Sequence, residues 1–399
     1  MKILQAFKFQ LKSHTADVTK LRQFAGACRF VWNKALELEK KSFESSGKYL
    51  GYNKNAGQLK EWKNQPETAF LSDVHSQILQ QKLKDLDRAY KNFFEGRADL
   101  PKFKKRGLND SFRYPQGFKV DENNSRVYLP KIGWISYHKS RLILGTPKQM
   151  TISCKCGKWY VSIQTERYVD DPVHPSDQEI GIDMGIKKFA AMSDETSIEP
   201  QNSFRSHEKK LAKLQKQLSR KQKFSKNWQK QKLRVQKQHL KIANVRNDFL
   251  HKNSTTISKN HALIVMEDLK VSNMSASASG SLEKPGRNVR AKSGLNKAIL
   301  DQGWYEFRRQ IGYKLTWLGG TLLLVPPRNS SLTCNNCGCI DKGNRISQAQ
   351  FKCVSCGHVD NADFNAAKNI LAAGQAVSAC GAGRAQASAL KQEPACETR

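Results

Sequence analysis

Apolar residues change their spacing several times along this chain, and each change marks an element. From Lys2 to Lys12, Ile3, Ala6, Phe7 and Phe9 interleave with polar residues, the pattern of a strand. From about Val18 the step becomes three or four. Leu21, Phe24, Ala25, Cys28, Val31 and Ala35 then line one face of an amphipathic helix. Val74, Ile78, Leu79, Leu83, Leu86, Tyr90 and Phe93 predict a second helix that ends near Gly96, and the basic stretch Lys102, Lys104, Lys105, Arg106 follows it. Residues 14–114 therefore read as a helical module. After Tyr114 strand signals return at Val127–Leu129, Trp134–Tyr137, Met150–Lys155 and Lys158–Gln164, with Gly157 at a hairpin turn. The first strand has no sheet of its own and is expected to join these. The economical arrangement is a small β-barrel (1–13 and 115–172) carrying the helical module as an insertion.

Asp170, Asp171, Pro172 and Pro175 predict a linker. Beyond it, Glu179–Met184 reads as a strand with a return strand close behind. His261–Met266 and Thr321–Val325 are short apolar runs of the kind found in strands buried on both faces. Residues 205–246 lack breakers and should form long helices, and Leu295–Leu318 reads as another helix. The Ser, Gly and Lys-rich stretch 271–295 reads as a mobile loop, and 374–399 as a disordered tail. The fold class is thus α/β, with additional α and β modules.

Charge narrows the function. The 399 residues hold 68 Lys or Arg against 35 Asp or Glu, a net charge of +33, which calls for a polyanionic partner. No apolar run approaches the roughly 20 residues of a membrane-spanning helix. The opening MKILQAFKFQLKSH lacks the uninterrupted apolar stretch of a signal peptide, so a cytoplasmic, nucleic-acid-associated protein is expected. Within 205–246, fifteen Lys or Arg face one acidic residue, Glu208. Such helices cannot pair their charges internally, and phosphate is the natural counterion; Lys209, Lys213, Lys216 and Arg220 are candidate contacts.

Five of the ten cysteines crowd into residues 334–356. Cys334-x2-Cys337 and Cys353-x2-Cys356 have the spacing of two knuckles holding one Zn²⁺ through four thiolates, a closed and therefore structural site. Three carboxylates stand at places suited to metal chemistry. Asp183 alternates with Gly181 and Gly185 on one side of its strand, Glu267 ends an apolar strand, and Asp363 opens a helix. Taken singly, each has an ordinary reading as a turn aspartate, a strand-end acid and an N-cap. Taken together in a basic chain, they suit two Mg²⁺ ions that activate water and stabilise the leaving oxygen in phosphodiester hydrolysis. No GxxxxGK[ST], HExxH or GxSxG motif offers another chemistry.

At these residues the chain resembles the TnpB (OrfB) proteins of bacterial insertion sequences, relatives of the type V CRISPR nucleases. GIDMGIKKFA around Asp183, VMEDLKVSNM around Glu267, the four-cysteine ribbon and DNADFNAAKNI around Asp363 occur in the family's order. CRFVWNKAL, AYKNFFEG, LPKFKKR and GWYEFRRQIGYKLTW also match its pattern. The resemblance implies a RuvC nuclease domain of RNase H-like fold (173–329 and 357–373), with Asp183, Glu267 and Asp363 as Mg²⁺ ligands. It implies a zinc ribbon (330–356) inserted before the last catalytic helix, and a wedge-like N-terminal barrel. It further implies a guide RNA from the transposon end, a double-stranded DNA target beside a short motif, and a monomer on RNA. Tyr52 and Gln80 lie where the family's motif-reading side chains are found. The competing expectation is a guide-independent transposase or an accessory transposition DNA-binding protein.

Overall fold

The computed structural model describes residues 1–281 and 283–379. These form two compact units that divide between Asp170 and Asp171, at the linker the acidic and proline residues predict.

In the first unit β1 (Lys2–Lys12) leads into α1 (Thr15–Ser46), α2 (Gly51–Asn64), a 3-10 segment Pro66–Asp73 and α3 (Ser76–Phe94). Strands β2 (Ser111–Tyr114), β3 (Lys119–Asp121), β4 (Arg126–Leu129), β5 (Gly133–Tyr137), β6 (Thr146–Lys155) and β7 (Lys158–Tyr168) follow. As expected, β1 enters this later sheet, running antiparallel to β7 from Lys2↔Tyr168 to Gln10↔Tyr160. The strand order is β2-β6-β7-β1-β5-β4-β3. The helical segment is shorter than its expected span, because Ser111–Tyr114 pairs with β6 and belongs to the sheet. Phe112 and Tyr114 there, with Phe7 and Trp159, share one core with Leu21, Val31, Ile78 and Leu86 of the helices. Burying each such side chain contributes about 1.5–3 kcal/mol.

The second unit holds β8 (Glu179–Met184), β9 (Ala190–Met192), β10 (Ser197–Ile198), α4 (Glu208–Ser219), α5 (Lys226–Asn260) and β11 (Leu263–Glu267). It continues with α6 (Val271–Met274), α7 (Val289–Gln302), α8 (Trp304–Leu318), β12 (Thr321–Val325), β13 (Gln350–Lys352), β14 (Val359–Asn361) and α9 (Ala362–Ala379). Its five-stranded sheet has the order β10-β9-β8-β11-β12. β8, β11 and β12 are mutually parallel, and β9 returns antiparallel to β8.

Three expectations need adjustment. The stretch 271–295 contains α6 and the start of α7, and Gly303 at φ 73° breaks the expected 295–318 helix into α7 and α8. The chain also stays helical from Gly374 to Ala379, so the expected tail does not start at 374; residues 380–399 lie outside the described residues.

Candidate nuclease site and cysteine cluster

The two faces of the second unit's sheet are covered differently. Ile180, Ile182, Met184, Ile264 and Met266 pack with Leu250 and Ile257 of α5 and Phe307 and Ile311 of α8. Side chains alternate along a strand, so Gly181, Asp183, Val265 and Glu267 belong to the other face. There lies α9: Val265, Leu323, Val325 and Ile370 form a second, smaller core. Gly181 lacks a side chain because α9 crosses it closely. A Cβ at that position would lie 2.2 Å from the Ala367 carbonyl oxygen and 2.7 Å from the Leu371 nitrogen. The space above Asp183's strand is thus partly filled by helix backbone rather than open. Gly374 repeats the device from the helix side, since a Cβ there would lie 2.4 Å from Val265 Cγ2.

This docking fixes the carboxylates. Asp363, Ala367, Leu371 and Gly374 recur at steps of three and four, hence on one face of α9. Asp363 therefore sits at the N-terminal end of the sheet-facing side. Asp183 follows Ile182, which pairs with Met266, so Asp183 and Glu267 end adjacent parallel strands. Burial, then the charges of Glu267 and Asp363, push the Asp183 carboxyl up to about 7, against the opposing pull of Arg345. Asp183 thus feels both other carboxylates. Among the described residues, however, only the four cysteines bring three or more ligand atoms within 4.8 Å of one another. The three carboxylates are near enough for Asp183 to feel the other two charges, but they do not form a cluster that tight.

Neighbours hold them in place. Ser330 Oγ donates to Glu267 Oε1 at 2.5 Å, and the Arg345 guanidinium lies 3.5 Å from Asp363 Oδ1. Asp363 is not the helix cap: its own N–H donates to Asn361 Oδ1, and its carboxylate faces Arg345 instead. Three half-buried carboxylates, with burial and mutual charge raising the pKa of Asp183, offer oxygen ligands of the kind that would suit Mg²⁺.

The cysteine cluster stands beside them in sequence and structure. Cys337 and Cys353 sulfurs are 3.5 Å apart, Cys334 and Cys356 3.7 Å. A tetrahedral Zn²⁺ with sulfurs at about 2.3 Å has sulfur–sulfur edges of about 3.8 Å, so the four fit that ion. The Cys356 N–H donates to Cys353 Sγ at 3.5 Å, which favours the thiolate. Fully buried Asn344 links the knuckles, donating to the Cys339 carbonyl and accepting from Val354 N–H. Asn365 and Asn369, one turn apart on α9, donate to the Thr333 carbonyl, and Asn365 Oδ1 accepts from Asn335 N–H. Both asparagines stand inside the motif that marked Asp363, but only the fold reveals what they grip. Ser330 carried no signal of its own.

The candidate nucleic-acid contacts divide. Lys209, Lys213, Lys216 and Arg220 are exposed on and just beyond α4. Lys102, Lys105 and Arg106 are exposed, whereas the Lys104 ammonium lies 3.7 Å over the Trp32 ring and its backbone is bonded to Asn33. Tyr52 is half-buried beneath Lys84 (5.3 Å), and exposed Gln80 shares the α3 face of Lys84 one turn earlier.

Comparison with known proteins gives this geometry a family. The OrfB_IS605 profile, described as "Probable transposase", matches residues 162–278, and a "Cas12f1-like, TNB domain" profile matches 304–370. A protein of Escherichia coli K12, "Putative RNA-guided DNA endonuclease InsQ", is 59% identical over 99% of this chain and 98% of its own length. The chain belongs to the OrfB (TnpB) family. A second relative, a "Putative RNA-guided DNA endonuclease" of Streptomyces pristinaespiralis, is 32% identical over 98% of this chain and 96% of its own. The fold of this OrfB chain matches a structure described as the Cas12f1–sgRNA–target DNA complex. The TM-score is 0.58 at 15% identity, covering 92% of this chain and 98% of that one. A helix-turn-helix profile also matches residues 1–48, where the structure places β1 and the 32-residue α1 instead.

Proposed function

We propose that this chain is an RNA-guided, Mg²⁺-dependent DNA endonuclease of an insertion sequence. The observation that carries the reading is the docking of α9 onto β8 and β11, which sets Asp363 beside Asp183 and Glu267 on one face of the sheet. The strand order β10-β9-β8-β11-β12, with one antiparallel strand, supports the RNase H-like reading of this unit. The seven-stranded sheet of the first unit is read as the wedge-like barrel, and residues 330–356 as the zinc ribbon. Mg²⁺ bound by the three carboxylates would supply the charge that activates a water and stabilises the leaving oxygen. Asp183, Glu267 and Asp363 orient those ions, Ser330 holds Glu267, and Arg345 balances charge at Asp363. The ribbon, with Zn²⁺ on Cys334, Cys337, Cys353 and Cys356, anchors the start of α9. Base pairing to the guide supplies sequence specificity, and exposed basic residues hold the nucleic-acid backbone.

The test is cleavage of a plasmid bearing a guide-matched site by the purified protein–RNA complex. The parent should cut in Mg²⁺, while Asp183→Ala should lose at least about a thousandfold in rate and keep its RNA and DNA affinity. An Asp183→Ala complex that still cuts removes Asp183 from the mechanism. Strand-transfer products on element ends, formed without RNA, would instead establish the transposase reading suggested by the family description.

A further inference from the structure

Within the first unit, the basic segment after α3 is not a loose tail. Residues 101–105 have no regular secondary structure, yet their backbone is tied to α1. Trp32 Nε1 donates to the Lys102 carbonyl at 3.1 Å, and Asn33 both donates to the Lys104 carbonyl (3.0 Å) and accepts from the Lys104 N–H (2.8 Å). The strap thereby presents Phe103, 47% exposed, with the Lys40 ammonium 4.8 Å over its ring. Across the same concavity stands Phe70, 44% exposed and edge-on to Phe30 at 5.4 Å. With Arg29, Asn33 and Lys34 these rings line an open groove of about 770 Å³. That volume lies within the range of ligand sites.

Two aromatic faces held in solvent by fixed backbone serve no core. Singly exposed rings are ordinary on a protein surface, but here two of them face one concavity. Charge is mixed inside the groove, where Arg29 and Lys34 stand with Glu37 and Glu67, and the strap that carries Phe103 adds the exposed Lys102, Lys105 and Arg106 beside it. Aromatic faces beside a cationic track are the means by which proteins hold unpaired nucleotides, since every base offers a ring face once it leaves a duplex. A paired duplex hides those faces. We propose that this groove is a preformed site for unpaired nucleotides, whose bases stack on Phe70 and Phe103 while Lys102, Lys105 and Arg106 take the flanking phosphates. The inference rests on the nucleic-acid reading above and adds a single-strand site distinct from the carboxylates.

The experiment uses the purified full chain with 12-nucleotide single strands of DNA and of RNA carrying 2-aminopurine, and a fully paired duplex of equal length. Stacking on a ring quenches 2-aminopurine. Two variants are compared with the parent: Phe70→Ala/Phe103→Ala, and Gly26→Leu. An added Cβ at Gly26 meets only Arg29 Nη2, at 3.7 Å, so bulk there enters the groove without entering the core. The parent should quench and bind single strands. Both variants should lose the quenching and at least about tenfold in single-strand affinity, as stacking predicts. Duplex affinity and salt dependence should stay within about twofold. The tighter of the DNA and RNA arms identifies opened target or guide as the source. Quenching that survives in both variants overturns the proposal, as does an equal loss of duplex binding or unchanged binding when the groove is filled. A parent that stacks single strands but never cuts a guided target keeps this site and removes the nuclease reading.

Discussion

Asp183 occupies a position where negative charge is opposed by burial and by two neighbouring carboxylates, so its carboxyl titrates near 7. In an unfolded chain it would titrate near 4. A folded pKa above the unfolded one stabilises the fold below about pH 4, and that contribution is lost as pH rises through about 7. The metal-free parent should therefore lose thermal stability relative to Asp183→Asn between pH 5 and pH 8. Added Mg²⁺ should raise the parent's Tm at pH 8 and leave the variant's unchanged. Differential scanning fluorimetry across that pH range measures both effects. Parallel curves for parent and variant would show that the charge at Asp183 is not strained. The sequence exposed this residue through its two flanking glycines, but it suggested open space where the fold puts the α9 backbone over Gly181. A glycine demanded by a close helix and one demanded by an open cavity are identical in sequence.

Among the elements, α9 bears the most. It covers the sheet, carries Asp363 and grips the cysteine ribbon through Asn365 and Asn369. Gly181→Ala should lift it from β8, because backbone atoms cannot yield as side-chain ends can. A cost of about 1–3 kcal/mol is expected in denaturant unfolding. The cleavage rate should fall further than this loss of folded protein explains, and equal losses would show that α9's seat does not matter for the site. Zinc removal acts from the other end. A chelator that strips Zn²⁺ should free the ribbon, release the loop that Asn365 and Asn369 hold, and abolish cutting with RNA affinity retained. Zinc content by emission spectroscopy, read beside the cleavage rate, checks this. Periodicity made α1 and α3 visible through their regular apolar stripes, whereas α4 and α5 were legible only as a basic stretch without breakers. It failed where one residue decides, as at Gly303, and where a strand such as β2 takes its partner from a distant segment.

For the whole molecule the dominant quantity is the net charge of +33. The single acid of the 205–246 stretch, Glu208, pairs with Lys297 on α7, which leaves the basic surface of α4 directed at solvent. Binding to single-stranded RNA should fall with a log–log salt slope steeper than about −4, as six neutralised phosphates require. A slope near −1 in fluorescence titrations would mean that the charge is spent elsewhere. Composition disclosed this polyanion-binding character at once, whereas the pairing of the carboxylates depended on which helix covers which face. That covering helix also sets an order in time. Synthesis runs from the N-terminus, and domains fold as they emerge. The strap, the basic helices and strands β8, β11 and β12 all leave the ribosome before α9 does. A message broken or a ribosome stalled before residue 363 would therefore yield a chain with the strap and the basic helices but without Asp363. On the nuclease reading proposed above, such a product would occupy nucleic acid without cutting it.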